Sequence, residues 1–500
     1  MNWEMSDVLL LFKSKEKSGL LTKGLFGIER EAQRILASGD LALTPHPAVL
    51  GNKATHPRIT TDFSESQIEM ITSPRKSAEE AFAELYDTHR EVEDGIGQEL
   101  LWPISMPPRL PDEEQIPIAY FCEDESGKRA NIYRNGLALR YGKKMQMISG
   151  IHYNYSFEPE LMDVLYEAFG EGRSRRDFTD DLYFSVARNF LRYRWLLIYL
   201  FGASPFCDPT YYSVVKSEIK MVQKCCPMRF DLFFANVSQY ATSLRVSRFG
   251  YANSSKKNQK IYYNGMAEYS GKLRRLMSTR SPRYAKIGIY RNGSQLQLNE
   301  NVLQKESEYY SSIRLKQIVG KGESQLNALE ERGVKYLEVR ILDINPFEKM
   351  GISLEQMHFL QIFLLYCLFS KSPPVTEKEH RRMNLNHHSV ALMGRSDEVM
   401  LCRYEDAEIS LPDWGSEIFD DLHTIANWMD SNSGTHIFRE TVKTEQKKLT
   451  DKSLLPSEQM HRQMKDGNLD FLEYGKQLAN QHKNNQTEDS NDEEQSLQQT

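Results

Sequence analysis

Residues 26–31, with the sequence FGIERE, constrain the fold of this chain more than any other stretch. Side chains alternate between the two faces of an extended strand, so Glu29 and Glu31 share one face while Ile28 and Arg30 lie on the other. Two carboxylates this close repel each other unless a cation lies between them or water solvates each of them. The stretch therefore predicts a strand whose charged face is either a site for a hard metal ion or a solvated surface.

The composition indicates one large globular unit. The chain has 500 residues, of which 40% are hydrophobic and 11% aromatic, and this is enough to bury a large core. No internal repeat, long linker or composition break divides the chain before its last residues. We predict a single domain over residues 1–480 and a disordered acidic tail over residues 481–500, which is rich in Gln, Asn, Ser, Asp and Glu.

Charge, cysteines and apolar runs together limit the partners. The net charge of -6 and the pI near 6.1 argue against a nucleic-acid binder. The 6 cysteines form no CxxC pair, which favours reduced thiols and a cytoplasmic protein. The apolar runs 195–201 and 359–369 are shorter than the roughly 18 residues that a membrane span needs. We expect small molecules or other proteins as partners, and neither nucleic acid nor membrane.

Several further stretches have the character of strands. Residues 58–63, 68–72, 145–154 and 334–344 are rich in β-branched and apolar residues, and residues 240–251 are another candidate. Spacing predicts helices over residues 77–97 and 178–201 and through the C-terminal third, while residues 102–131 are assigned to a loop because of their Pro and acidic content. The predicted fold class is α+β, with a mostly antiparallel sheet backed by helices.

A second charged strand strengthens the case for a metal site. In residues 335–342, Glu338 and Arg340 lie on the face opposite to the apolar side chains. Asp62, Glu69 and His152 also lie on predicted extended segments. If these segments pair with their charged faces together, one side of the sheet is strongly anionic and requires cations. A site made mostly of carboxylates favours Mg²⁺ or Mn²⁺ over Zn²⁺.

Each of these residues also has a simpler interpretation. Asp62 is a candidate N-cap for a helix that begins near Phe63. His152 is a candidate core histidine held by hydrogen bonds. Glu338 and Arg340 are candidates for cross-strand ion pairs on a solvated sheet. From spacing alone, these alternatives stay open.

The sequence lacks the common loops that bind nucleotide phosphates. Gly320-Lys321-Gly322 has no upstream glycine to make a GxxxxGK[ST] loop, and Gly95-Ile96-Gly97 lacks the third glycine of a dinucleotide-binding turn. A nucleotide, if one binds, must therefore be held by metal ions and arginines.

Many ordered motifs carry a resemblance to a known family. The sequence resembles bacterial glutamate-cysteine ligase of the proteobacterial type, also called γ-glutamylcysteine synthetase. The motifs run in family order to about residue 347. They are Gly27 to Glu31, Ile59 to Phe63 with Glu69, Trp102 to Pro107, Tyr133 to Leu137, Arg140 to Gly142, Ile148 to Asn154, Tyr199 to Pro205, Tyr240 to Arg245, Tyr284 to Ile289, and Glu338 to Arg340 through Asp343 to Phe347.

The resemblance implies a fold and a reaction. The family is similar in fold to glutamine synthetase, with an antiparallel sheet curved into a cradle and helices outside, and residues 1–480 would be its catalytic domain. The implied enzyme is an ATP-dependent carbon-nitrogen ligase. ATP phosphorylates the γ-carboxylate of L-glutamate, and the amine of L-cysteine attacks the acyl phosphate to give γ-glutamylcysteine, the first step of glutathione biosynthesis. Mg²⁺ is the implied cofactor, with Mn²⁺ as the alternative, and ATP is a co-substrate.

The resemblance also implies roles for individual residues. Arg340 and His152 would be catalytic, with Arg340 binding phosphate oxygens and His152 acting as a metal ligand or a contact to the transferred phosphoryl group. Arg245 would hold a substrate carboxylate. The segment 305–309 matches the family's acidic segment only loosely and is left out of the predicted site. The implied metal ligands are Glu29, Glu31, Asp62, Glu69 and Glu338, and the implied cysteine pocket is Phe63, Tyr133 and Tyr251.

Two other functions are compatible with this sequence. A related carboxylate-amine ligase with a different amine acceptor would keep the metal site and change the pocket at Tyr133 and Tyr251. A non-catalytic sensor would keep only the fold, although no charge-neutral replacement at Glu29 or Arg340 points to one. Substrate affinities, feedback inhibition and adenine contacts are beyond the reach of the sequence. We expect a monomer.

Overall fold

A computed structural model describes residues 3–122, 124–222, 237–250, 260–404, 407–431 and 434–497. Within these ranges, no helix combines the length and the apolar character that are required to cross a lipid bilayer. The strands are β1 (Gly24–Ile35), β2 (Ile59–Thr61), β3 (Gln67–Ile71), β4 (Leu100–Leu101), β5 (Ile151–Phe157), β6 (Tyr290–Arg291), β7 (Ser294–Gln295), β8 (Ile313–Lys316), β9 (Tyr336–Leu342), β10 (Met400–Cys402) and β11 (Glu408–Ser410).

Helices make up most of the remaining regular structure. Several begin at a Ser, Thr or Asp whose side chain accepts a hydrogen bond from a backbone N–H of the first turn, as Ser174 does from Asp177. The α-helices are Met5–Leu10, Lys15–Ser18, Ala78–Gly95, Glu125–Tyr141, Pro159–Phe169, Arg175–Phe201, Tyr212–Val222, Met266–Ser278, Pro282–Ala285, Gln325–Arg332, Leu354–Phe369, Glu377–Met393, Leu411–Asp430, Ile437–Lys447, Pro456–Asp466 and Phe471–Leu497.

The main sheet is antiparallel throughout. Its strand order is β2-β3-β1-β5-β9-β8, with β4 added beside β1. The register places Glu31 opposite Glu69 and Glu29 opposite His152. Because side chains alternate along each strand, this register gathers the charged residues of five strands, β1, β3, β5, β8 and β9, on one face. The predicted α+β fold with an antiparallel sheet is confirmed.

The opposite face of the sheet is apolar and packs against helices. Ile28, Met70, Tyr153 and Val339 are each 0% exposed. Fully burying each side chain of this kind stabilises the fold by about 1.5–3 kcal/mol. Three helices cover this face: Ala78–Gly95, Arg175–Phe201 and Leu354–Phe369. The long core helix predicted over residues 178–201 is confirmed and begins three residues earlier, at its Ser174 cap.

Three sequence-based assignments of secondary structure are wrong. The strand predicted over residues 145–154 begins only at Ile151, because Lys144–Met147 form a 3-10 helix. Residues 102–131 are not all loop, because a helix begins at Glu125, where Asp124 accepts a hydrogen bond from the Gly127 N–H at 2.7 Å. Residues 240–250 do not form a strand; they turn repeatedly, with one isolated bridge from Ser243 to Ser204. The division into a domain over residues 1–480 and a tail over residues 481–500 stays a prediction.

Candidate active site

The charged face of the sheet is the floor of a cavity of about 740 Å³. The wall stands beside the floor and comes from the helix Glu125–Tyr141 and from segment 305–310. We call floor residues Glu29, Glu31, Glu69, His152, Arg314, Lys316, Glu338 and Arg340, and wall residues Tyr133, Arg134, Arg140, Tyr141, Lys305, Ser307, Glu308 and Tyr310.

His152 lies at the centre of the floor. Its Nδ1 is 3.0 Å from Glu29 Oε2 and 3.7 Å from Glu338 Oε1, and its Nε2 is 3.8 Å from Glu31 Oε1. The ligand atoms of Glu29, His152 and Glu338 lie within 4.8 Å of one another, and so do those of Glu31, Glu69 and His152. Ligands of one divalent cation lie about 2.0–2.6 Å from it, so each group has a spacing that suits one ion. Burial and the nearby Arg340 lower the pKa of His152, which favours the neutral imidazole that binds metals.

Glu338 is 1% exposed and is surrounded by cations. Its carboxylate accepts a hydrogen bond from Arg340, and its Oε2 is 3.0 Å from Lys316 Nζ. Arg314 lies opposite Glu338 in the register of β8 and β9. Burial raises the pKa of Glu338, but the charges of Arg340, Lys316 and Arg314 outweigh it and hold this pKa well below its usual range. Glu338 is therefore an ionised carboxylate.

The other end of the floor has an excess of negative charge. Glu31 and Glu69 face each other across β1 and β3. Burial and the neighbouring Asp62 raise the pKa of Glu31 to about 8, and the same two causes raise the pKa of Glu69 well above its usual value. Glu31 Oε2 accepts a hydrogen bond from the Gly150 N–H at 2.9 Å. A divalent cation bound here would supply the positive charge that these carboxyl groups lack.

Arg245 reaches the floor over Gly150, which leaves room for its guanidinium group. A Cβ atom at position 150 would lie 1.9 Å from Arg245 Nη2. Nη2 donates to the Arg340 carbonyl at 3.1 Å, and Nη1 is 3.9 Å from Asp343 Oδ1. Nε and Nη1 are buried and find no hydrogen-bond acceptor among the described residues. Buried donors of this kind favour a ligand with anionic oxygens.

The wall carries aromatic and cationic side chains. Tyr133 and Arg134 project from the helix Glu125–Tyr141. Arg134 Nε donates to the Asp62 carbonyl, which ties the helix to the turn after β2. Lys305 Nζ lies 3.8 Å from the centroid of the Tyr133 ring. This corner of the cavity is therefore positive, in contrast to the carboxylates at the floor's centre.

A buried ion pair fixes the wall. Arg140 Nη1 donates to Glu308 Oε1 at 3.0 Å, and the two side chains are 0% and 1% exposed. Glu308 also accepts hydrogen bonds from the Tyr141 hydroxyl and from the Gln304 N–H, each at 2.5 Å. This network holds segment 305–310 against the helix.

The structure brings together the predicted site residues that it describes. Tyr251 lies outside the described residues, so its placement stays a prediction. Asp62 lies in the turn after β2 and not at a helix start, so its interpretation as a helix cap is wrong. Asp62 also belongs to neither group around His152. The residues that line the cavity as predicted are Glu29, Glu31, Asp62, Phe63, Glu69, Tyr133, His152, Arg245, Glu338 and Arg340.

Sequence reasoning missed most of the cations. Arg314 and Lys316 share the floor with Glu338, and their spacing of two within a short apolar strand was a usable signal. Lys305 and Glu308 belong to the segment that the sequence prediction left out, yet both line the cavity. Carboxylates at the centre and cations around them can bind a metal-bound polyphosphate and stabilise negative charge on a transferred phosphoryl group.

Comparison with known proteins gives consistent results. Residues 9–390 match the family described as glutamate-cysteine ligase. The glutamate–cysteine ligase of Clostridium acetobutylicum is 52% identical over 480 residues, which cover 96% of this chain and 100% of that protein. The glutamate–cysteine ligase of Pseudomonas paraeruginosa is 40% identical over 482 residues, which cover 96% of this chain and 89% of that protein.

Two solved structures are similar to this chain over nearly its whole length. The crystal structure of glutamate–cysteine ligase from Francisella tularensis in complex with AMP superposes with a TM-score of 0.82 at 33% identity and covers 93% of this chain and 89% of that one. A bifunctional glutathione synthetase from Pasteurella multocida superposes with a TM-score of 0.74 at 30% identity. That match covers 95% of this chain and 54% of the larger protein.

Proposed function

This chain belongs to the glutamate-cysteine ligase family, and from that premise we propose which of its residues carry out the reaction. The activity of the family is the ATP-dependent formation of γ-glutamylcysteine in glutathione synthesis, and it is the activity of this chain. The observation that carries the residue assignment is the arrangement around His152, where two groups of carboxylates share one imidazole inside the cavity.

We propose Mg²⁺ as the metal, with Mn²⁺ as the substitute. The donor set is dominated by carboxylate oxygens, which suits these hard ions. The raised pKa values of Glu31 and Glu69, caused by burial and by the nearby Asp62, support a cation at this end of the floor. When bound, the metal would neutralise charge on the triphosphate and on the γ-carboxylate of glutamate. The proposed ligands are Glu29, Glu31, Asp62, Glu69 and Glu338, with His152 as a further ligand or a contact to the phosphoryl group.

Arg340 of the floor and Arg245 beside it are proposed to bind the reacting anions. Arg340 is half-buried beside Glu338 and can donate hydrogen bonds to the phosphoryl oxygens as negative charge develops on them. Arg245 presents Nε and Nη1 as buried donors for a carboxylate of glutamate. The floor and Arg245 thus bind two negatively charged substrates close together, which their mutual repulsion would otherwise oppose.

The acceptor pocket is assigned to the wall side of the cavity. Phe63 is 2% exposed and Tyr133 is half-buried, and both line the cavity beside the carboxylates. We propose that they surround the L-cysteine side chain, with Tyr251 as the third member. The neutral amine of cysteine then attacks the acyl phosphate carbon and a C–N bond forms, while inorganic phosphate leaves with the C–O bond electrons and the nitrogen loses one proton. ATP, L-glutamate and L-cysteine are the proposed partners, and a cytoplasmic monomer stays our expectation.

ADP release by the purified protein tests this function. MgATP, L-glutamate and L-cysteine are each omitted in turn, and 2-aminobutyrate replaces cysteine in a further reaction. We expect release only when all three are present, and a loss of about 10³-fold in Glu338→Gln, because this substitution removes an anionic ligand. Glu331→Gln is the control, since that side chain is 70% exposed, and it should keep full activity.

Other results would contradict the proposal in distinct ways. ADP release with glutamate and another amine, but not with cysteine, would show that the acceptor substrate is not cysteine. Full activity of Glu338→Gln would show that the floor is not the reacting site.

A further inference from the structure

Lys305 is a cation in the wall that has no role in the reaction proposed above. Its ammonium group lies over the Tyr133 ring, inside the cavity and beside the proposed cysteine pocket. We propose that Lys305 binds the α-carboxylate of the amino acid that accepts the γ-glutamyl group, and so selects α-amino acids over simple amines. This inference rests on the proposed function, because it assigns a further contact within the same pocket.

The segment that carries Lys305 is held rigidly. Glu308 is paired with Arg140, and Arg314 Nη2 donates to the carbonyls of Ser307 at 2.7 Å and Tyr309 at 2.9 Å. Both sets of contacts lie within a few residues of Lys305. The ammonium group is therefore positioned by its surroundings before any ligand binds, which lowers the entropy lost on binding.

No carboxylate among the described residues contacts the Lys305 ammonium group, although the charges of Glu306 and Asp62 act on it from nearby. Lys305 is half-buried, and its ammonium group makes no hydrogen bond or ion pair with any residue that the structure describes. Burial and the charge of Arg134 lower the pKa of Lys305 to about 8. A partly buried ammonium group beside a guanidinium group favours a bound carboxylate, which supplies both the missing charge and a hydrogen-bond acceptor.

The chemistry of the acceptor matches this position. The amine must be neutral to attack the acyl phosphate, so the reacting amino acid carries a net negative charge on its α-carboxylate. A nearby ammonium group binds that carboxylate and also favours the neutral form of the amine. A phosphate oxygen of ATP or of the acyl phosphate offers the same anionic chemistry, so the experiment must separate the two sources.

The experiment compares L-cysteine with cysteamine, which lacks the α-carboxylate, in wild type, Lys305→Met and Lys305→Arg. Methionine keeps an unbranched side chain as far as Cε over Tyr133 and removes the charge, whereas arginine preserves the charge. We expect Lys305→Met to raise the KM for cysteine about 10–100-fold, as for the loss of a charge-assisted hydrogen bond. The kcat/KM for cysteamine and the KM values for ATP and glutamate should stay within about twofold. Lys305→Arg should restore most of the affinity for cysteine.

Three results would overturn the inference. Equal losses with cysteine and cysteamine would assign Lys305 a structural role only. A raised KM for ATP with an unchanged KM for cysteine would assign the ammonium group to phosphate. Unchanged KM values for both cysteine and ATP in Lys305→Met would show that the ammonium group binds neither the carboxylate nor a phosphate. If wild type releases no ADP with cysteine, the proposed function itself fails, which is distinct from any result on Lys305 alone.

Discussion

The floor and the wall of the cavity are built in opposite ways. On the floor, Glu31 and Glu69 face each other with their carboxyl groups short of positive charge, so that region is incomplete without a cation. In the wall, Arg140 and Glu308 satisfy each other in a fully buried pair. The carboxyl groups of the floor thus favour the binding of a cation, whereas the ion pair of the wall holds segment 305–310 in place. Substitutions in the floor should therefore lower the catalytic activity, and substitutions in the wall should lower the free energy of unfolding.

The largest effect is expected on the floor, at Arg340. Arg340→Gln removes a charged donor from the position where negative charge develops, so kcat should fall about 10³-fold. The thermal midpoint should change little, because Arg340 lies beside an open cavity and Lys316 still neutralises Glu338. Steady-state kinetics and calorimetry check the two parts. The control is Arg332→Gln, which removes an arginine from an ion pair at the surface. An equal loss of activity in this control would show that the effect is not specific to the cavity.

The next effect is expected in the wall and concerns stability. Glu308→Gln leaves the buried Arg140 guanidinium group without its charged partner, so the free energy of unfolding should fall by about 3 kcal/mol. Urea denaturation measures this. Glu323→Gln is the matched control, because the Glu323–Arg332 pair lies at the surface, where water screens it, and its loss should change the free energy of unfolding much less. An equal fall in the free energy of unfolding in both variants would show that the buried pair in the wall contributes no more than the pair at the surface.

A smaller effect is expected where a glycine supports the floor. In Gly150→Ala, the added methyl group would meet the Arg245 guanidinium group, so the KM for glutamate should rise about tenfold while ATP binding changes less. Gly271→Ala is the control, because a Cβ there meets nothing within 4 Å and the site lies within a helix. That variant should be neutral or more stable by about 0.5–1 kcal/mol. An unchanged KM for glutamate in Gly150→Ala would contradict the role proposed for Arg245.

The same contrast explains what the sequence could predict. The floor follows from alternation on β1 and β9, where Glu29, Glu31 and Glu338 occur at spacings of two among apolar neighbours. Alternation is a local property, so it is visible in the sequence. The resemblance to a family then implied an antiparallel sheet and a role for each of these residues, which spacing alone left open.

The wall could not be predicted because its contacts are long-range. Arg140 and Glu308 are 168 residues apart, and nothing in their local sequence indicates that they pair. The Pro-rich and acidic composition upstream led to a loop assignment that extended past Asp124, although an Asp before a Glu is a usable helix-start signal. Lys305 was left out because its segment matches the family loosely. Its position over Tyr133 appears only in three dimensions.

Crystals soaked with Mn²⁺ and a non-hydrolysable ATP analogue test the central claim most directly. An anomalous difference map locates the metal without reference to activity. We predict peaks contacted by the carboxylates of Glu29 and Glu338 and by those of Glu31 and Glu69, with the triphosphate bound over them. A map with the analogue bound and no peak at the floor would contradict the account.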